Sequence, residues 1–228
     1  RPAALPRHLP VLDGLRAVAV LLGLWSHVPL LTPGYPTWLQ WAHVAVGPGG
    51  LGVEIFFVLS GFLITRILLA ERERGLAVRW FLLRRVLRIF PIYYLLLLVM
   101  ALFRSSPDLP WCAAYLSNVW YFLHGGGTRL EHTWSLCVEE HFYLLWPPVV
   151  AHLGRRGAQR ALLFAALPLS LATAAALVTT VEPGRLYLGL AYLSPVRFLS
   201  LGTGCALALV ETRLAAAPRR WRTLGGAL

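Results

Sequence analysis

Arg16 and His27 share one face of a run, LDGLRAVAVLLGLWSHVPLL from Leu12 to Leu31, that is long and apolar enough to cross a bilayer. Residues eleven apart at about 100° each complete almost whole turns, so the two side chains point the same way, about 16 Å apart along the axis. Imidazole is the side chain best suited to accept a proton near neutral pH. A guanidinium beside it binds an anion or stabilises developing negative charge. A charge at mid-bilayer costs about 2.5–3.5 kcal/mol on insertion scales, so such residues usually mark a pathway or a site. Two further groups have the same character. Glu139 and Glu140 lie near the start of another apolar run, where carboxylates are costly unless paired. Arg84, Arg85 and Arg88 form a basic cluster in which residues three apart share a helix face.

The elements that position these side chains follow from composition. Of 228 residues 57% are hydrophobic and 14% charged, with a mean hydropathy of +0.64. That balance predicts an all-α, polytopic transmembrane bundle. All 21 basic residues are arginine. The net charge of +11 is carried by clusters between apolar runs, the pattern of cytoplasmic loops and not of a nucleic-acid surface. Cys112, Cys137 and Cys205 have no metal-ligand spacing and read as buried thiols, and no metal site is expected.

Loop charge orders the spans. The first crossing, Leu12–Leu31, leads to an arginine-free connection with Tyr35, Trp38 and Trp41, which reads as external and interfacial. Val53–Leu69 returns to ERERGLAVRWFLLRRVLR, the most basic segment and hence cytoplasmic. Val86–Phe103 goes out to SSPDLP, Trp134–Leu153 comes back to GRRGAQR, Ala161–Val181 goes out and Ser194–Val210 returns. Trp111–Leu123 is short for a crossing and is expected to be re-entrant or interfacial. The expected count is six spans plus one partial helix, both ends inside. Glu54 at the head of the second span reads as a helix-capping carboxylate, and Ser60–Gly61 as a close-packing site.

Four motifs in register give a resemblance: LDGLRAVAVLLGLWSH, GVEIFFVLSGFLIT, FLLRRVLRIFPIYYLL and HTWSLCVEEHFYLLWP. Together, from Leu12 to Pro147, they resemble the acyltransferase-3 family of integral membrane O-acyltransferases, with a weaker echo at YLSPVRFLSLGTGCALAL. The resemblance implies an arginine-x10-histidine motif, matched by Arg16 and His27, and an RxxR motif, matched by Arg85 and Arg88. His141 stands where glutamine is common in that family, and Glu54 where aspartate is often found. Members of the family are usually longer. The chain, which begins at Arg1, is therefore expected to be one membrane-embedded acyltransferase domain over residues 1–228, an N-terminal part truncated at its C-terminal side.

The resemblance implies acyl transfer, with no bound cofactor, from acyl-CoA (acetyl-CoA by the family pattern) to a hydroxyl of a carbohydrate or glycosylated acceptor. His27 would act as general base, Arg16 would bind donor or stabilise the carbonyl oxygen, and Arg84, Arg85 and Arg88 would hold donor phosphates. The same arginines also suit a plain positive-inside signal, while of the catalytic candidates Glu139 and Glu140 one could orient a histidine or pair with Arg16 and the other form a simple interhelical ion pair. A bacterial inner, or plasma, membrane location follows from the resemblance. The rival function is a transporter or flippase of a lipid-linked or acylated sugar, for which no internal inverted repeat is visible.

Overall fold

A computed structural model describes residues 10–26, 35–46, 50–104 and 106–216, and His27 lies outside the described residues. Among the described residues every regular element is a helix: α1 (Pro10–Ser26), α2 (Thr37–Val46), α3 (Gly50–Glu73), α4 (Val78–Phe103), α5 (Leu109–Ala113), α6 (Ser117–His124), α7 (Thr133–Ala161), α8 (Leu167–Thr180), α9 (Pro183–Tyr192) and α10 (Ser194–Ala216). A π-turn at Leu162–Ala166 joins α7 to α8 without interruption.

Among the described residues three stretches are long and apolar enough to cross a membrane, namely Gly50–Glu73, Val78–Phe103 and Thr133–Thr180. A fourth appears if α9 and α10, bent by 43° at their junction, are one span. The expected Trp111–Leu123 segment forms the helices α5 and α6, of 5 and 8 residues, each too short to span. Helix α9 was not anticipated from sequence, and the separate spans expected at Trp134–Leu153 and Ala161–Val181 lie in one 48-residue stretch broken at Gly154.

Helix α3 is the central post. It runs parallel to α10, pairing Glu54 with Arg197, Val58 with Gly204, Gly61 with Leu201, and Arg66 with Glu211 at 3.1 Å. It also runs parallel to α7, pairing Phe57 with Trp134, Ser60 with Glu139, and Thr65 with the Trp146 indole at 2.8 Å. The small residues are what permit this closeness: a Cβ on Gly61 would collide with the Leu201 carbonyl, and one on Gly204 with that of Val58. Gly52 does the same against α1, where a Cβ would sit 2.6 Å from the Ala19 oxygen.

Glu54 is not a cap. It sits inside α3, paired with Arg197 and accepting the Ser200 hydroxyl, so it fastens α3 to α10 beside the α9–α10 bend. The opposite end of the bundle is pinned by arginines on carbonyls. Arg72 Nε donates to the Ala151 oxygen at 3.1 Å, and Arg155 donates to that of Leu209 at 3.2 Å. Arg72 also lies against Gly154, the residue at φ 62° that breaks α7.

The segment between α4 and α7 is organised by Asp108. Its fully buried carboxylate accepts hydroxyls from Tyr121 at 2.6 Å, Thr128 at 2.5 Å and Ser106. Burial alone would raise this carboxyl, but the three hydroxyls outweigh burial and hold it below its ordinary value. A depressed folded-state pKa contributes stability that is present above the unfolded value, about 4, and is lost as pH falls through the folded one. Asp108→Asn should therefore flatten the acid limb of a stability-versus-pH curve below about pH 4 and leave its shape unchanged near neutrality. An unaltered acid limb in that variant would show that these bonds are not what the acid breaks.

Candidate active site

Of the charged residues singled out in the sequence, Arg85, Glu139 and Glu140 come together where α3, α4 and α7 meet. Glu139 and Glu140 are both buried, on the apolar helix whose neighbours Val138, Phe142 and Tyr143 are core residues. Glu139 is fully engaged: one oxygen accepts the Ser60 hydroxyl and the other faces Arg85 at 3.9 Å. Arg85 in turn donates to the Tyr143 hydroxyl and lies over that ring, 3.8 Å from its centroid. Arg16 sits on α1, half exposed, 3.9 Å from Asp13. Its charge acts on both Glu139 and Arg85, so the three belong to one electrostatic cluster.

The three arginines of the basic run have separate surroundings. Arg84 is more than half exposed and pairs with Glu71 on α3. Arg85 is turned inward to the carboxylates. Arg88 lines a cavity of about 300 Å³ between α4 and α7, whose other walls are Ile89, Ile92, Tyr93, Leu96, His132, Thr133 and Leu136. On α7 Leu136 is one turn above Glu140, and on α4 Ile89 is one turn above Arg85, so the cavity's floor faces the charged cluster.

Not every polar atom in the cluster is satisfied. Among the described residues, Glu140 Oε1, Arg85 Nε and the Tyr115 hydroxyl are buried with no hydrogen-bond partner. Tyr115 has φ 55°. It follows α5 as the turn residue of a Schellman motif, with Leu116 N bonded to the Trp111 oxygen and Tyr115 N to that of Cys112. The turn between α3 and α4 has the same two bonds, and there the residue is Gly75. A tyrosine in that conformation costs about 1–2 kcal/mol relative to one in a right-handed turn. Stacking on Tyr93, 4.6 Å between centroids, and on Phe90 at 5.2 Å helps hold it there.

His141 is a structural tie. Its Nδ1 meets the Ser194 hydroxyl at 2.7 Å, and Asn118 donates to the same oxygen at 3.0 Å, which fastens α7 and α6 to the head of α10. Cys137 contacts Ser117 at 3.1 Å inside the same packing, and Cys112, Cys137 and Cys205 are all buried free thiols. No group of His, Cys, Asp and Glu with the geometry of a metal site occurs among the described residues. Sequence reasoning missed Tyr115, whose only signal was a bulky residue at a helix exit. It also missed the Glu54–Arg197 pair, whose partners are far apart in sequence.

The family described as acyltransferase domain, acyltransferase-3, matches residues 9–228. The chain belongs to this family. The acyltransferase-3 chain is 32% identical to the peptidoglycan O-acetyltransferase OatA of Listeria monocytogenes, over 90% of this chain and 34% of that protein. It is 33% identical to the putative peptidoglycan O-acetyltransferase YrhL of Bacillus subtilis, over 90% of this chain and 33% of the relative. The O-acetyltransferase OatA of Staphylococcus aureus is 32% identical, with 90% and 35% covered. The chain thus spans about a third of the length of the curated relatives it matches. No solved structure matches it.

Proposed function

We propose that this acyltransferase-3 chain transfers an acyl group, acetyl by preference, from acyl-CoA to a hydroxyl of a carbohydrate, with the amino-sugar polymer of the cell wall as the acceptor class. The observation that carries this reading is the α4–α7 cavity. It has an arginine at its wall, apolar sides that suit an extended acyl-bearing arm, and the buried Arg85–Glu139–Glu140 cluster at its floor. In this reading Arg88 and the exposed Arg84 hold donor phosphates, and Arg85 holds Glu139 in place. His27 takes the hydroxyl proton as the oxygen attacks the thioester carbonyl, Arg16 stabilises the resulting oxyanion, and the thiolate of CoA leaves. The chain is a multi-pass protein of the bacterial inner membrane, with six crossings and the α5–α6 region as the partial one. Donor docks from the basic side, and acceptor meets it in the α4–α7 cavity from the other.

Membranes carrying the protein, given radiolabelled acetyl-CoA and a soluble N-acetylglucosamine oligosaccharide with no transmembrane gradient, should form labelled oligosaccharide. Arg88→Ala should raise the apparent KM for acetyl-CoA roughly tenfold or more, as expected for loss of one charge-assisted phosphate contact, with acceptor KM unchanged. Wild-type protein that moves sugar across a vesicle wall but transfers no label would replace the reading with transport.

A further inference from the structure

We propose that the Glu140 carboxylate and the Tyr115 hydroxyl together bind a hydroxyl of the acceptor sugar other than the one acylated, its O–H donating to Glu140 Oε1 while its oxygen accepts from the Tyr115 phenol. The proposal rests on the acyl-transfer reading above and names the residues that hold its second substrate.

Three independent observations converge on this pair. Both atoms are buried, and neither has a hydrogen-bond partner among the described residues. Folded proteins rarely leave such atoms unpaired, and each one in a native structure calls for an explanation. The two groups are also near each other. Tyr115 packs in one core cluster with Tyr93, Cys137 and Leu136, and the last two lie one turn before Glu140 on α7. Finally, Tyr115 holds a left-handed turn position that the equivalent turn after α3 fills with glycine. Ring packing alone would be served by phenylalanine, so the hydroxyl is the part of this side chain that the protein interior leaves without a use.

The chemistry of the pair selects the ligand. A carboxylate only accepts and a phenol can donate, so together they match a neutral group that carries one donor and one acceptor on the same atom. A sugar hydroxyl is such a group. The location agrees as well: Leu136, which lines the α4–α7 cavity, is one turn above Glu140, and Tyr93, which lines it too, is stacked on the Tyr115 ring. The pair lies directly behind the cavity wall that Leu136 and Tyr93 form, beside the Arg85–Glu139 cluster.

The unpaired hydroxyl makes a clean test possible. Tyr115→Phe keeps the ring and its stacking and deletes one atom that no described residue uses, so melting temperature in detergent should stay at or above the wild-type value. In the transfer assay the same variant should raise KM for the N-acetylglucosamine oligosaccharide roughly tenfold, and Glu140→Gln roughly tenfold to a hundredfold, with KM for acetyl-CoA unchanged in both. Wild-type kinetics in Tyr115→Phe, or a loss confined to acetyl-CoA, would overturn the proposal. So would a fall in melting temperature matched to the loss of transfer. Absence of transfer by wild-type protein would instead be a failure of the acyl-transfer reading itself, and the two failures are told apart by that control.

Discussion

A His27→Ala variant is expected to insert into membranes at the wild-type level and to transfer acyl groups at least about a hundredfold more slowly than the parent protein. The expectation combines residue type with position. Imidazole is neutral near pH 7 and can take a proton as a hydroxyl attacks. Arg16, on the same face of the first apolar run, lies within the field of the Arg85–Glu139 cluster. A positioned base is worth about 10²–10⁴ in rate, and the oxyanion partner a comparable factor. Arg16→Ala should therefore lower kcat by about a hundredfold or more without a matching change in donor KM. Transfer by His27→Ala within a few-fold of the parent rate would remove histidine from the chemistry and shift the proton to a carboxylate.

The second large effect is structural. Gly204→Leu should prevent the bundle from assembling, because even a Cβ there collides with the Val58 carbonyl, a backbone atom that cannot rotate away. Overpacking a core by a few methylenes costs about 1–3 kcal/mol, and the upper end or more applies where backbone must move. Parting α3 from α10 would also strain the Glu54–Arg197 and Arg66–Glu211 pairs, leaving partly buried charges to find water inside a bilayer. Gly202 supplies the control. A Cβ there would meet only Leu162 Cδ2, at 3.5 Å, so Gly202→Ala should express and melt like the parent. Equal melting temperatures for Gly202→Ala and Gly204→Leu would show that the α3–α10 contact is not close-packed in the membrane.

What could be read from the chain beforehand divides by the range of the interaction that fixes it. The all-helical, membrane-type character was legible because it depends on composition and on local runs of apolar residues. The cores of α3, α4 and α10 fell where the hydropathy placed them, and Ser60–Gly61 was recognisable as a packing site because small residues have few other uses inside a helix. Long-range pairings were not legible. Glu54 resembles a cap when only its neighbours are considered, and its partner lies 143 residues away. Arg84, Arg85 and Arg88 look equivalent in sequence, but a helix turns about 100° per residue, and that rotation gives one to Glu71, one to Glu139 and one to the cavity. The break at Gly154 fell where the sequence ended its span, at Leu153, but the direct resumption of helix beyond it, with Arg72 against the glycine, was not legible.

The burial of all three native thiols makes the unmodified protein a ready background for mapping which loops face which compartment. Cys112, Cys137 and Cys205 have no exposed surface, and at Cys112 burial pushes the thiol up to about 11, so little thiolate forms near neutral pH. A membrane-impermeant maleimide should leave the natural chain unlabelled and mark only a cysteine introduced by design. Placed in turn at the exposed Ala77 and Arg129, such single reporters would fix the sidedness of the α3–α4 and α6–α7 connections without removing any native cysteine.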